Sequence, residues 1–272
     1  MLSRQPDNPL DVSVDISFDG HVHTALCCHA AGNMEDYVRA AIDRGLQKLC
    51  FLEHFEAGIN AGRRTWLDPQ DFVFYQREGR RLQELYRGQI EIGLGVEVGY
   101  NPAEVETIKH FLAASSWQRV GISCHFLAIA GRHYNLLSHN RETLAAFSDY
   151  GVERTLREYF ALLAAAVAAL PGTVLCHLDA ALRHHPAVAA PLAAISQEPV
   201  IDDIFKTMAA KGMALEVNTS GFDHRRAQAY PAPALRQRAA AYKLPLTAGS
   251  DAHHPDEVGR YFQRLNNPTA AD

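Results

Sequence analysis

Short apolar runs alternate along the chain with longer segments in which apolar residues recur every three or four positions. The first pattern predicts buried β-strands and the second predicts amphipathic α-helices. The predicted strands cover residues 12–23, 46–54, 89–100, 119–127, 172–180, 213–221 and 245–253. The predicted helices cover residues 33–45, 68–88, 102–115, 150–170, 199–212 and 232–243, with a last helix from Pro255. Residues 128–149 are expected to form a long loop, and the whole pattern makes seven strand–helix units.

Strict alternation of strands and helices predicts a parallel sheet, which can be either doubly wound or closed into a barrel. Histidine or acidic side chains stand at the carboxyl end of every predicted strand. A barrel builds its active site from all of these ends, whereas a doubly wound sheet concentrates its site at one switch point. The distribution therefore favours an α/β barrel of seven units, with the active site at the C-terminal ends of the strands.

The composition is that of a globular protein with a large core. The chain has 272 residues, of which 47% are hydrophobic and 21% charged. No repeat or linker divides it, so we expect one domain over residues 1–272. The net charge is −5 and long basic runs are absent from the sequence, so a nucleic-acid partner is not expected.

Three features bear on location. The most apolar run, Phe160 to Leu170, is too short to span a bilayer. Residues 1–11 lack the apolar stretch of a signal peptide, and the five cysteines form no C-x-x-C pair. We therefore expect a cytoplasmic protein with no membrane partner. The sequence does not indicate an oligomeric state.

Nine side chains near the predicted strand ends are candidate metal ligands. They are His21, His23, His29, His54, Glu97, His125, His177, Asp251 and His253. Residues two apart on a strand point to the same side, so the H-x-H and D-x-H pairs can each reach one ion. Nine ligands exceed what one ion takes, and a shared carboxylate suits two or three divalent ions. An imidazole-rich set favours Zn, Fe or Mn over Mg or Ca.

Each histidine alone has a simpler explanation as a surface residue or a hydrogen-bonded core residue. His125 and His177 lie in apolar runs, where a single imidazole is commonly structural. Several buried imidazoles would each need hydrogen-bond partners, however. The joint pattern therefore favours a metal cluster, and we interpret the five cysteines as packing or supporting residues rather than ligands.

Seven segments between residues 19 and 259 carry a resemblance to a known family. In chain order they are DGHVHTALCCHAAG, FLEHFE, GLGVEVGY, GISCHFL, LCHLDA, LEVNTSG and GSDAHHPDEVG. Together they resemble the polymerase and histidinol phosphatase (PHP) family, and most closely its histidinol-phosphate phosphatase branch. The resemblance implies a distorted (β/α)7 TIM-like barrel with up to three metal ions. It also implies hydrolysis of L-histidinol phosphate to L-histidinol and phosphate in histidine biosynthesis.

The resemblance also distributes the ligands among three ions. It implies one ion held by His21, His23, Glu97 and Asp251, a second held by Glu97, His125 and His177, and a third held by His29, His54 and His253. Glu97 would bridge the first two ions, and a metal-bridging hydroxide would attack phosphorus in line. The leaving alkoxide is expected to take its proton from Asp251, from His253 or from a metal-bound water.

Substrate contacts are expected in the loops beyond the strands. Arg225 and Arg226 follow the sixth strand in a segment that resembles the branch's N-T-x-G…Y-P-x-P. A forked guanidinium suits phosphate oxygens, and the alternative is that both are solvated loop charges. Glu53 is expected to orient His54. The candidate acceptors for the substrate amino group are Asp179, Asp223 and Glu56.

Two loops depart from the branch, one after His54 and one after the fourth strand. A second function therefore stays open, that of a PHP-family phosphatase or phosphodiesterase acting on a nucleotide or another small phosphate ester. It would need a basic, aromatic-lined groove, and the acidic balance speaks against one. A third alternative is a metal-binding barrel without catalysis, but all nine ligands are present. The expected partner is a small phosphorylated substrate.

Overall fold

The computed structural model describes residues 14–266, and its centre is a sheet of seven parallel strands. In spatial order these are β1 (Phe18–Val22), β2 (Lys48–Glu56), β3 (Glu91–Gly99), β4 (Arg119–Ser123), β7 (Val174–Leu175), β8 (Ala214–Asn218) and β9 (Leu246–Gly249). An antiparallel hairpin of β5 (Phe126–Ile129) and β6 (Arg132–Asn135) follows β4. The sheet curls until Val22 pairs in parallel with Ala252, just beyond β9. The predicted distorted barrel of seven units is confirmed.

Hydrogen bonds between β1 and the segments beyond β9 hold the barrel closed. The Asp251 amide donates to the carbonyl of His21 at 2.8 Å. The Asp19 carboxylate is fully buried, and it accepts from the amides of Ser250 at 2.9 Å and Gly259 at 2.7 Å. One acidic side chain on β1 thus fixes two segments that follow the last strand.

Helices cover the outside of the barrel. They are α1 (Met34–Asp43), α2 (Pro69–Leu85), α3 (Val105–Ala113), α4 (Arg141–Tyr150), α5 (Val152–Ala169), α6 (Ala189–Ile195), α7 (Pro199–Lys211), α8 (Pro233–Ala240) and α9 (Gln263–Asn266). Asn33 begins α1 and Asp68 begins α2, each with a reciprocal capping box. The apolar helix faces pack against the strands and form the main core. No helix within residues 14–266 has the length and apolar character needed to cross a membrane.

A second, smaller apolar cluster contains Leu52 of β2, Val174 of β7 and Cys176. Gly121 of β4 faces it, because a Cβ at that position would lie 2.7 Å from the Cys176 sulfur. Side chains alternate along a strand, so Leu52 and His54 point to the same side of β2. Apolar side chains therefore occupy the barrel interior below His54 and leave its carboxyl-terminal end to polar residues.

The fourth barrel strand, β4, ends earlier than predicted. The predicted strand over residues 119–127 ends at Ser123, and the predicted loop contains the hairpin of β5 and β6. Ala130 and Gly131 join the two hairpin strands with φ angles of 49° and 82°. Two successive positive φ angles are characteristic of a type I′ turn. The predicted long loop over residues 128–149 therefore contains most of a β-hairpin and most of α4.

Other predicted boundaries also shift. Gly151, with a φ of 101°, separates α4 from α5, so the predicted helix over residues 150–170 is the second of two helices. The fifth barrel strand is only two residues long, and α6 lies in the loop that follows it. The segment from Pro255 begins with a short 3-10 turn rather than an α-helix. Residues 12–13 of the first predicted strand lie outside the described residues, and the single-domain organisation over residues 1–272 stays a prediction.

Candidate metal centre

All nine predicted ligands lie at the carboxyl-terminal end of the barrel. Parallel pairing with matched register sets His54 of β2 beside Glu97 of β3. His21 on β1 lies opposite Asp251, because the backbones of the two segments are hydrogen-bonded. Seven of the nine ligands are buried, whereas His253 is partly exposed and His29 lies at the solvent-exposed rim.

The Glu97 carboxylate is the hub of the cluster. Its Oε1 lies 2.8 Å from His177 Nε2 and 3.2 Å from His125 Nε2. Its Oε2 lies 2.9 Å from His54 Nδ1 and 3.4 Å from His21 Nε2. The two oxygens therefore face two separate groups of imidazoles, as a carboxylate that bridges two ions would.

Asp251 lies with the pair of histidines on β1. Its Oδ1 is 3.3 Å from His23 Nε2 and 3.8 Å from His21 Nε2. The Nε2 atoms of these two histidines are 2.9 Å apart. The four groups expected to hold the first ion are therefore together, since Glu97 Oε2 lies 3.6 Å from His23 Nε2.

The third expected group is looser. The ring centroids of His29 and His253 are 4.6 Å apart, and those of His29 and His54 are 5.3 Å apart. His54 also stacks on His23 at 4.0 Å. His54 therefore stands between the third group and the groups around Glu97, and it contacts both.

The chemistry of the donor atoms fits transition-metal ions. Four buried atoms in this cluster form no well-aligned hydrogen bond with any described residue, although two of them, His54 Nδ1 and Glu97 Oε2, lie 2.9 Å apart. The four are His23 Nδ1, His54 Nδ1, Glu97 Oε2 and His125 Nε2. Buried polar atoms are normally satisfied, and one ligand atom each from His54, Glu97 and His125 lies within 4.8 Å of the other two. Imidazole and carboxylate donors in this number are suited to Zn, Fe or Mn.

Further carboxylates hold the imidazole rings from behind. Glu216 Oε1 lies 2.6 Å from His21 Nδ1, and its Oε2 accepts from the His177 amide at 2.9 Å. Glu56 Oε1 lies 2.6 Å from His125 Nδ1. Such contacts fix the ring orientation and leave the other ring nitrogen for a metal. The sequence shows both residues at strand ends but not these roles, which depend on contacts between strands.

Burial and close charges set the protonation of the cluster. Burial acts to raise the pKa of Glu97, but His125 and His21 outweigh it and hold that pKa well below its usual range. Burial lowers the pKa of His54 to about 3 and also lowers the pKa of His23. Burial acts to lower the pKa of His125, but neighbouring carboxylates raise it to about 10. Metal binding at His125 would therefore release a proton.

The two predicted phosphate-binding arginines occupy different environments. Arg226 forms an ion pair with Asp179 at 2.8 Å and lies over the ring of Tyr230 at 4.9 Å. Arg225 is exposed. Arg226 is thus held in a fixed position, and Arg225 is on the surface of the same loop.

Arg183 is a cationic residue that the sequence analysis missed. Its Nε and Nη1 atoms are buried and have no hydrogen-bond partner within residues 14–266. Burial and the charge of Arg183 lower the pKa of His224 to about 4, whereas Asp251 acts to raise it. Arg183 follows β7 and His224 follows β8, so both lie in loops at the carboxyl-terminal end of the barrel. Arg183 lies six residues after His177, and nothing in the sequence around it distinguishes it from an ordinary surface arginine.

Each candidate acceptor for a substrate amino group already has a partner. Asp179 binds Arg226, and Glu56 binds His125. Asp223 lies at the surface, 2.8 Å from Arg260 Nη1. All three carboxylates therefore contact other side chains of the protein, and none of them is a free acceptor for a substrate amino group.

Glu53 does not orient His54, and that expectation was wrong. Neighbouring residues on a strand point to opposite faces, so Glu53 points away from the metal centre. It is fully buried and accepts from the Thr24 hydroxyl at 2.5 Å and the Thr24 amide at 2.9 Å. Glu53 instead fixes the start of the loop that carries His29.

The fold and the cluster together define a barrel protein with a histidine- and carboxylate-rich site that is suited to metal ions. The PHP domain profile matches residues 19–220, and a PHP-associated profile matches residues 235–272. The chain belongs to the PHP domain family. This confirms the family to which the sequence motifs pointed.

Relatives of this chain share a name. A protein of Deinococcus radiodurans called "Probable histidinol-phosphatase" is 31% identical over 250 residues, 90% of this chain and 89% of the relative. The histidinol-phosphatase of Bacillus subtilis is 25% identical over 90% of this chain and 96% of its own length. The crystal structure of histidinol phosphate phosphatase from Lactococcus lactis, complexed with zinc, L-histidinol and phosphate, matches with a TM-score of 0.71. At 21% identity over 94% of each chain, that structure supports the fold.

Proposed function

We propose that this protein is a metal-dependent phosphomonoester hydrolase that converts L-histidinol phosphate and water into L-histidinol and phosphate. The observation that carries the proposal is the buried Glu97 carboxylate, which faces imidazoles on both of its oxygens at the mouth of the barrel. The names of the relatives supply the substrate. The proposal places the protein in histidine biosynthesis, with a small phosphorylated molecule as its partner.

The proposed centre holds two or three divalent ions of Zn, Fe or Mn. The proposed ligands are His21, His23, His29, His54, Glu97, His125, His177, Asp251 and His253. The short distances around Glu97 support the first two ions. The buried atoms that lack a hydrogen bond among the described residues support four of the ligands, His23, His54, Glu97 and His125. When bound, such ions lower the pKa of water and neutralise phosphoryl oxygens.

The protein groups around the centre have separate tasks in this proposal. Glu216 and Glu56 hold the rings of His21 and His125, which keeps their free nitrogens aimed at the centre. Glu97 is held ionised and supplies one oxygen to each side. A centre that is already in place does not have to reorganise during the reaction.

Cationic side chains on the rim are proposed to bind the phosphate. Arg183 offers buried donors that lack partners in the part of the chain that the structure describes, and Arg226 and Arg225 lie on the loop after β8. Their forked donors suit phosphate oxygens. Asp251 and His253 are the groups proposed to pass a proton to the leaving alkoxide, since both lie at the mouth.

Replacing the hub tests the proposal. We expect Glu97→Gln to lower the rate of phosphate release from L-histidinol phosphate by more than roughly 100-fold, because the loss of a ligand exceeds the loss of a supporting contact. Metal content is measured alongside, and the exposed Glu106→Gln serves as control. Full activity in Glu97→Gln would contradict the role of the centre. A wild-type enzyme that hydrolysed only nucleotides would contradict the proposal that L-histidinol phosphate is the substrate.

A further inference from the structure

Arg260 lies beyond the last barrel strand and follows the candidate ligand Asp251 along the chain. Only 16% of its side chain is exposed. The preceding residue, Gly259, has a φ of 64°, and its amide donates to the buried Asp19 carboxylate at 2.7 Å. The Arg260 side chain therefore starts from a backbone that is fixed to β1.

The Arg260 guanidinium donates to two successive backbone carbonyls beside the centre. Its Nε donates to the carbonyl of Ser250 at 3.1 Å, and its Nη2 donates to the carbonyl of Asp251 at 3.2 Å. These two carbonyls flank the α-carbon of Asp251. One arginine therefore holds the backbone on both sides of a candidate ligand.

Asp251 needs such support because its backbone has an uncommon conformation. Its φ is 52°, in the left-handed region that favours glycine. Other residues keep such a conformation only where the surrounding structure holds it. The Asp251 amide donates to the carbonyl of His21 at 2.8 Å, and Arg260 holds the flanking carbonyls. In this conformation, Asp251 Oδ1 lies 3.3 Å from His23 Nε2.

The same guanidinium reaches the loop after β8. Its Nη1 donates to Asp223 Oδ2 at 2.8 Å, and the Tyr261 hydroxyl donates to the other oxygen of Asp223. Both oxygens of this carboxylate are therefore held by the segment that follows the last strand. The loop then continues into the two arginines that are proposed to bind phosphate. Arg260 thus joins that loop to the Asp251 backbone.

The contacts of Arg260 suit it to hold protein groups rather than substrate. Its Nη1 also lies 3.1 Å from Glu257 Oε1. The three guanidinium nitrogens together therefore contact two carbonyls and two carboxylates. Arg183 differs, because its buried Nε and Nη1 have no hydrogen-bond partner within residues 14–266.

We propose that Arg260 is a positioning residue of the hydrolase, which holds Asp251 in the metal centre and keeps the loop after β8 beside it. This inference rests on the proposed function. Loss of the guanidinium frees the Asp251 backbone from two hydrogen bonds and the Asp223 carboxylate from an ion pair. We therefore expect weaker binding of both metal and substrate.

Zinc affinity tests the contact with Asp251 without an activity assay. In competition against a chelator, Arg260→Gln should bind zinc about 10-fold more weakly than the wild type, as expected when a group that supports a ligand is lost. Asp223→Asn should bind zinc like the wild type, because the bonds from Arg260 to the backbone remain. Arg87→Gln, which replaces an exposed arginine, is the control.

Steady-state kinetics test the contact with the loop after β8. Arg260→Gln and Asp223→Asn should each raise the KM of a phosphate ester that the wild type hydrolyses by roughly 10-fold. At saturating zinc, kcat of Asp223→Asn should change less than its KM. Arg260→Lys should resemble Arg260→Gln, because lysine places its donors on one nitrogen and does not span the carbonyls and Asp223.

Thermal unfolding shows which variants fold, and Arg260→Lys replaces Arg260→Gln in each comparison if the latter does not. A folded variant at Arg260 with wild-type zinc affinity and wild-type KM would overturn the inference. An equal loss of zinc affinity in Asp223→Asn would also overturn it, since the backbone bonds would then not be the cause. Wild-type protein that binds zinc but hydrolyses no phosphate ester would overturn the proposed function, and the zinc comparison would still test the contact with Asp251.

Discussion

At the residue scale, Glu216 shows how a side chain outside the proposed ligand set can orient two of its members. Its carboxylate lies behind the His21 ring and also accepts from the backbone of His177. We predict that Glu216→Gln weakens zinc binding by about 10–100-fold, because the imidazole loses an anionic partner. Competition against a chelator measures the affinity, with the exposed Glu106→Gln as control. Equal affinities in Glu216→Gln and wild type would show that Glu216 only packs.

Glu53 links a buried carboxyl to the pH dependence of stability. Burial raises its pKa from 4.5 to about 8. Between pH 4.5 and about 8, the folded protein therefore keeps a proton on Glu53 that the unfolded chain has lost. The stability from that proton is fully present below pH 4.5 and is lost as pH rises through 8.

We predict that Glu53→Gln becomes more stable relative to the wild type as pH rises from 5 to 9, by on the order of a few kcal/mol. Denaturant unfolding at several pH values measures the difference, and Glu106→Gln should show no trend. A constant difference between Glu53→Gln and wild type across this range would mean that Glu53 is ionised in the folded protein.

The sequence indicates the candidate ligands because their signal is local. The H-x-H of β1 and the D-x-H beyond β9 follow from strand alternation, and both pairs face the cluster. The residues that support the ligands give no such local signal. Glu216 and Glu56 act across strands, and Arg183 acts across loops, so their roles depend on register and loop path. The periodicity of one segment indicates neither the register between strands nor the path of a loop.

At the element scale, the errors fall where the hydrophobic pattern continues but the chain turns. The run from Arg119 to Leu127 is mostly apolar, yet β4 ends at Ser123 and the chain turns into the hairpin. The hairpin turn is Ala130–Gly131, which lacks the Asn-Gly or Asp-Gly signal of most type I′ turns. Helix starts were predicted well, because Asn33 and Asp68 are strong caps.

The closure of the barrel depends on one acidic side chain between elements. Asp19 of β1 accepts from two backbone amides beyond β9. We predict that Asp19→Asn lowers the free energy of unfolding by about 2 kcal/mol, because an amide has one acceptor oxygen and leaves a buried donor unpaired. Urea unfolding checks this against the exposed Asp43→Asn. An unchanged midpoint would show that the edge is held by the strand backbones alone.

At the scale of the whole molecule, the fold explains why so many ligands meet. Parallel strands end on one side of the sheet, and closing the sheet brings the first and last strands together. The candidate ligands, which run from His21 to His253 along the chain, then surround one centre. The sequence predicts this architecture because strand–helix alternation is strict, and it leaves the loops at the rim, where specificity resides, largely unassigned.

The most direct test of this account is the rate of phosphate release from L-histidinol phosphate by protein of known metal content. Para-nitrophenyl phosphate and nucleotides are measured alongside, before chelation, after chelation and after zinc is restored. We predict a strong preference for L-histidinol phosphate, loss of activity with the chelator and recovery with zinc. Hydrolysis of L-histidinol phosphate that persisted in metal-free protein would contradict it.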